Sequence, residues 1–145
     1  MRKAFSMLTA IVIIVLMATV AAFILNLSGK MVKGTTVQFQ REQSVLLAKS
    51  YTEYAVMAVT ANEHNSTGCL NNITGTYGIY NVDVNISYIG NTDLAGNCRT
   101  LSNAVTTVKS PLNVIVDVFV RYDDLDNPSP TPPKMTYHRR SLQKI

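Results

Sequence analysis

The sequence predicts an α+β chain: one long N-terminal helix whose second half packs on a small antiparallel β-sheet. Three observations carry this. Phe5 to Leu25 holds no charge, no Pro and no Gly. Residues 28–61 contain no Pro, and from Gln38 their apolar side chains recur at three- and four-residue spacing, the period of an amphipathic helix. Beyond residue 62, two runs alternate apolar and polar side chains, the period of a half-buried strand.

The chain of 145 residues is the length of one domain, part of it spent on the apolar segment. Hydrophobic residues make up 47% and charged ones 15%, but this average joins two unlike parts. The first is a membrane-type run; the second, from about residue 60, is rich in Asn, Thr and Ser. The formal charge of +4 is not gathered into the basic patch that a nucleic-acid interface needs, so no nucleic-acid partner is expected. The chain divides by composition into residues 1–4, a basic leader; 5–27, the apolar helix; 28–61, its amphipathic continuation; and 62–145, a small β domain.

Met1-Arg2-Lys3-Ala4 is short and basic. The apolar run that follows is long enough, as a helix, to span about 30 Å, the thickness of a bilayer core. A secretory signal has a shorter apolar region, of about 7–15 residues, so a retained anchor in contact with lipid is the favoured reading. Cleavage near Thr19-Val20-Ala21 is the alternative. Orientation is not decided by charge: Arg2 and Lys3 precede the span, and Lys30, Lys33 and Arg41 follow it. Cys69 and Cys98, the two cysteines, lie in the polar part beyond the span. That placement points to one disulfide in an oxidising compartment and so to a C-terminal domain outside the cytoplasm. Two free thiols in a cytoplasmic domain are the other reading.

The basic leader, the small Ala4, then Phe5 and about 20 apolar residues resemble the N-terminal signal of type IV pilins and type II secretion pseudopilins. The long helix followed by a sheet extends the likeness over most of the chain. The resemblance implies a pilin-like fold and cleavage by a prepilin peptidase between Ala4 and Phe5, with methylation of the new N-terminus. It implies a bacterial inner-membrane protein with a periplasmic domain, whose other partners are fellow pilins or pseudopilins and an inner-membrane assembly platform. Phe5, Thr9, Ile11, Val15 and Leu16 would carry assembly into a filament. Two positions depart from the family. Gly is usual before the cut, and here it is Ala4. Glu is usual at the fifth mature position, and here it is Thr9. Burying a carboxylate in an apolar core is expensive unless it is paired. Thr9 removes both the cost and the pairing, and its hydroxyl has a helix carbonyl one turn back to bond. In the family such a subunit is typically a minor one. A membrane-anchored or exported ligand-binding domain that forms no filament is the competing function.

In the amphipathic stretch Leu47, Tyr51, Tyr54, Ala55, Ala58 and Val59 are the expected sheet-facing side chains. Lys49 and Glu53 are spaced to pair on the surface. Gly29 and Gly34 are weak points, each costing about 1 kcal/mol against Ala. The helix should stop near Asn62, before the turn-rich Asn65-Ser66-Thr67-Gly68. A first strand is expected over Tyr80–Tyr88 and a second over Val114–Tyr122, the latter covered on both faces through Ile115 and Phe119. Met135–Arg140 is a third candidate. Gly90–Asn97 reads as a loop, 100–109 as loop with a short helix, and Asn127–Pro133 as a linker unable to donate to a sheet.

No catalytic constellation is visible: His64 and His138 sit in polar surroundings, and no Ser or Cys has a readable base beside it. His138, next to Arg139 and Arg140, reads as a surface residue. The run Asp123-Asp124-Leu125-Asp126-Asn127 offers oxygen ligands but no EF-hand pattern, and reads as a solvated acidic turn. No cofactor or metal is expected. Asn65, Asn72 and Asn85 each open an Asn-x-Ser/Thr triplet; the abundance of Asn and Thr accounts for such matches without modification.

Overall fold

The computed structural model describes all residues except 1, 63–67, 91–93, 95, 106–111, 126 and 128, with side chains described from Met7 onward. In chain order the elements are α1 (Arg2–Ala61), β1 (Asn72–Tyr77), β2 (Tyr80–Gly90), β3 (Thr100–Ser102), β4 (Leu112–Asp123) and β5 (Lys134–Lys144). They form two compact units, Met1–Phe39 and Gln40–Ile145. This is the expected α+β layout, a long apolar N-terminal helix with a small antiparallel sheet packed on its second half.

The first unit is helix alone. Gly29 and Gly34 do not interrupt it, because the cost of an isolated Gly is small against a long run of helix formers. Several of its polar side chains bond to the helix itself. Thr19 donates to the Leu16 carbonyl (2.8 Å), Asn26 to Ala22 (3.3 Å), Thr35 to Met31 (2.9 Å) and Thr36 to Val32 (3.1 Å). A helix so arranged brings few unsatisfied polar groups into lipid.

In the second unit the sheet order is β1-β2-β4-β5, every neighbouring pair antiparallel, with β3 pairing in parallel to the end of β2. β1 and β2 are joined by Gly78-Ile79, flanked by the Tyr77–Tyr80 pair. Gly78 has φ 57° and no other turn residue is positive, the pattern of a two-residue hairpin turn that asks for Gly first. The inner face of the sheet is a layer of Val82, Val84, Ile86, Val114, Val116 and Val118, all fully or almost fully buried. Each such side chain removed from water stabilises by about 1.5–3 kcal/mol before chain entropy is counted.

The helix meets this layer through Gln40, Ser44, Ala48, Thr52, Ala55 and Val59. This corrects the expected stripe in part. Ala55 and Val59 are buried and Leu47 and Tyr51 half-buried, but Tyr54 is 56% exposed. Small side chains lie nearest the sheet because the valines already fill the space between the layers. The two hydroxyls cost little there: Ser44 donates to the Arg41 carbonyl and Thr52 to that of Ala48, both at 2.7 Å. Tyr51 reaches over β1, where Gly75 makes room for it; a Cβ at Gly75 would strike the Tyr51 ring and hydroxyl. No ion pair joins Lys49 to Glu53.

At the far end of α1, Cys69 and Cys98 form a disulfide. Asn71 stitches the same region, donating to the Asn97 carbonyl and accepting from the Arg99 N–H, each at 2.8 Å. The Tyr88 hydroxyl donates to the Leu70 carbonyl at 2.7 Å, and burial pushes its pKa up to about 12. Gly68, at φ 92°, lies against the Asn97 side chain where no Cβ fits.

The expected strands at Tyr80–Tyr88, Val114–Tyr122 and Met135–Arg140 are present and extend further at their ends. The loop-with-helix reading of 100–109 is corrected at Thr100–Ser102, which is strand β3 held by pairing with Tyr88 and Ile89; residues 106–109 lie outside the described residues. β1 was not foreseen.

Two outcomes follow. Gly75→Ala should lower stability by about 1–3 kcal/mol in thermal or urea unfolding, and adding Tyr51→Phe should recover part of the loss by removing the struck hydroxyl. Replacing Cys69 and Cys98 together by Ser should cost roughly 3–4 kcal/mol, read as a lower melting temperature that reductant lowers no further.

Candidate functional site

The apolar half of α1 carries the residues that sequence singles out. From Met7 to Leu27 the large apolar side chains are 42–74% exposed, and no described residue covers the most apolar window. Ordinary proteins do not leave such a surface to water. By length and composition this helix is a candidate membrane span. Ala4 and Phe5 lie in its first turns, with side chains outside the described residues. Thr9 is exposed, as are Ile11, Val15 and Leu16, at 56%, 56% and 58%. Thr9, Ile11, Val15 and Leu16 thus lie on one exposed apolar stretch of α1. Cys69 and Cys98 are the one predicted pair brought into covalent contact.

A second cluster lies on the outer face of the sheet. The register sets Asn85, Asp117 and Arg140 in one cross-strand row and Asp83, Phe119 and His138 in the next. Asp117 is 9% exposed on the face that carries polar residues. Its Oδ1 accepts from Arg140 Nε at 2.7 Å and lies 2.8 Å from His138 Nε2; its Oδ2 accepts from the second guanidinium nitrogen at 2.9 Å. The His138 ring stacks on Phe119 with centroids 4.4 Å apart and planes within 10°. Arg121 pairs with Asp83, its guanidinium 6.0 Å from the Phe119 ring centre. The bidentate Arg140 bond and the His138 bond hold the Asp117 carboxyl below its ordinary value of 3.8, burial opposing them.

His138 is therefore more than the plain surface residue expected from its neighbours in sequence. Period-two alternation puts His138 and Arg140 on one face, and this was the available signal; the partner Asp117, 21 residues upstream of His138, was the part hidden from it. Chemically the cluster is a tie. Asp83 and Asp117 balance Arg121 and Arg140, and among the described residues no hydroxyl or thiol is hydrogen-bonded to His138 in the way a nucleophile would be. What the tie reinforces is the attachment of β5 to β4, the one described strand it pairs with.

Other candidates stay apart. Asp123 and Asp124 follow each other at the end of β4, and among the described residues no three His, Cys, Asp or Glu side chains come together to hold a metal. His64, Asn65 and Asp126 lie outside the described residues. Asn72 donates to the Asn85 side-chain oxygen at 3.0 Å across β1 and β2. No protein-family model, no curated protein and no solved structure matches this chain.

Asp117→Asn should cost about 1–3 kcal/mol at neutral pH by leaving Arg140 and His138 without their carboxylate. The sign with pH is fixed by the depressed value. Asp117 adds stability in full above its unfolded pKa, and loses it as pH falls below 3.8 through the folded value. Unfolding midpoints should therefore drop on acidification in that window more steeply for the wild type than for Asp117→Asn.

Proposed function

We propose that the chain is a non-enzymatic structural subunit of the type IV pilin and pseudopilin class. It is anchored in the bacterial inner membrane by α1 and assembled through the same helix. The observation that carries this reading is the bare apolar helix that opens on Arg2-Lys3-Ala4-Phe5. A single apolar helix has two ways to leave water: lipid, or a bundle of like helices. A subunit drawn from a membrane into a filament core uses both in turn, without refolding. The prepilin peptidase cuts before Phe5, and the assembly platform and sister subunits are the partners. The disulfide supports an oxidising, periplasmic setting for the β domain.

Thr9 assigns a minor rather than a major role. A major subunit repeated along a filament gains from a carboxylate that meets the next subunit's amine; Thr9 offers none. A hydroxyl there costs little in an apolar core, so the subunit is accepted where no such pairing is asked of it.

The deciding measurement is N-terminal mass analysis of the protein from its native membrane. Phe5 as an N-methylated first residue is the expected result; an intact Met1, or a start near Ala22, would refute it. Ala4→Arg should leave the precursor uncut and membrane-bound. Ile14→Arg, which sets a charge at the centre of the span at a cost of about 2.5–3.5 kcal/mol, should reduce the membrane fraction.

A further inference from the structure

The sheet ends in an open edge at β5, and no described strand pairs beyond it. Its backbone can be assigned residue by residue. Ile145 N–H donates to the Leu112 carbonyl at 3.1 Å and Asp124 N–H to that of Pro133 at 3.3 Å, both continuing the β4–β5 register. In an antiparallel ladder alternate residues turn their N–H and C=O to the same neighbour. Tyr137, Arg139 and Ser141 therefore bond to β4, and Thr136, His138, Arg140 and Leu142 present theirs to the open side. An 11-residue edge of this kind is a template for one more strand.

The charge on that edge selects the strand. Lys134–Lys144 contains two Lys, two Arg and one His, and no acid. Asp117 engages Arg140 and His138, while among the described residues no ion pair reaches Lys134, Arg139 or Lys144. The Arg139 Nε is buried with no hydrogen-bond partner among the described residues. Lys134, His138, Arg140 and Lys144 share the outer face, at intervals of four, two and four residues. Two copies of β5 side by side would set these cations against one another, which disfavours self-pairing. β1, the opposite edge, carries no charge in Asn72–Tyr77 and offers nothing to complement them.

We propose that β5 is a docking edge for an extended acidic segment of another protein, added as a further strand with carboxylates at alternate positions along the cationic row. Backbone bonds to Thr136, His138, Arg140 and Leu142 supply the pairing. Lys134 and Lys144 supply the selection. The surface does not depend on filament formation, so it stands or falls separately from the pilin-type reading.

The test uses the full chain in detergent micelles at low salt, with the peptide Glu-Thr-Glu-Val-Glu-Val-Glu-Val-Glu-Thr-Glu, long enough as a strand to span Lys134 to Lys144, as probe and its Glu-to-Lys version as control. Amide hydrogen exchange is read residue by residue. The acidic peptide should slow exchange at Thr136, His138, Arg140 and Leu142 by roughly tenfold, and leave Tyr137, Arg139 and Ser141, already bonded to β4, unchanged. The effect should weaken with salt and vanish for the Lys peptide. Lys134→Glu with Lys144→Glu should abolish it at unchanged melting temperature. Leu142→Pro, which removes one outward N–H and no ladder bond, should weaken it. Absence of protection, equal protection by the Lys peptide, or protection of Thr74 and Thr76 on β1 instead would overturn the proposal.

Discussion

The contact on which the second unit depends is the meeting of small helix side chains with a layer of valines. Ser44, Ala48, Thr52 and Ala55 are buried on the helix, and Val82, Val84, Val116 and Val118 are buried on β2 and β4 in the same core. A β-branched layer suits the pleat and buries well; a helix face of bulky residues could not have lain flat on it. The outer strands depend on this contact in turn. β1 is seated by Tyr51 over Gly75, and β5 is held to β4 by its ladder and by Asp117.

The two units meet opposite demands with one helix. In Gln40–Ile145 the helix is amphipathic and satisfied by its own sheet. From Met7 to Leu27 it carries no charge, and no described residue covers its most apolar window. A helix hydrophobic on every side belongs in lipid or among other helices. Thr19, Asn26, Thr35 and Thr36 turn back to the carbonyls of the preceding turn, which lowers the cost of either environment.

Much of this was legible in the sequence because the physical signal was local. Twenty apolar residues without a breaker, and Tyr80 to Tyr88 in strict alternation, needed no partner to be read. Two cysteines in a polar domain likewise announced a bond that the structure contains. What escaped depended on neighbours far along the chain. Thr52 and Ser44 look like surface residues until the valine layer is known to need something small opposite it. β1 carries Gly75 where an alternating strand would carry an apolar residue, and the reason is a tyrosine 24 positions upstream. Tyr54 fits the helical period as well as Tyr51 does, but it has no glycine to lie over and stays outside. The proposed processing positions are a different matter: Ala4 and Phe5 are read from a pattern of residue types, and packing has no bearing on them.

The bond between Cys69 and Cys98 encloses a stretch that contains all of β1, the Gly78-Ile79 tip and all of β2. The hairpin is thus a covalent ring, closed by sulfur at its base. A protease that nicks the exposed tip would open the ring without shedding a piece, since both new ends remain attached to the rest of the polypeptide. Such damage would be invisible on a gel until thiol was added, and the cut molecule would keep its central strand in place. An exposed turn of the sheet is thus one whose breakage leaves the chain in one covalent piece.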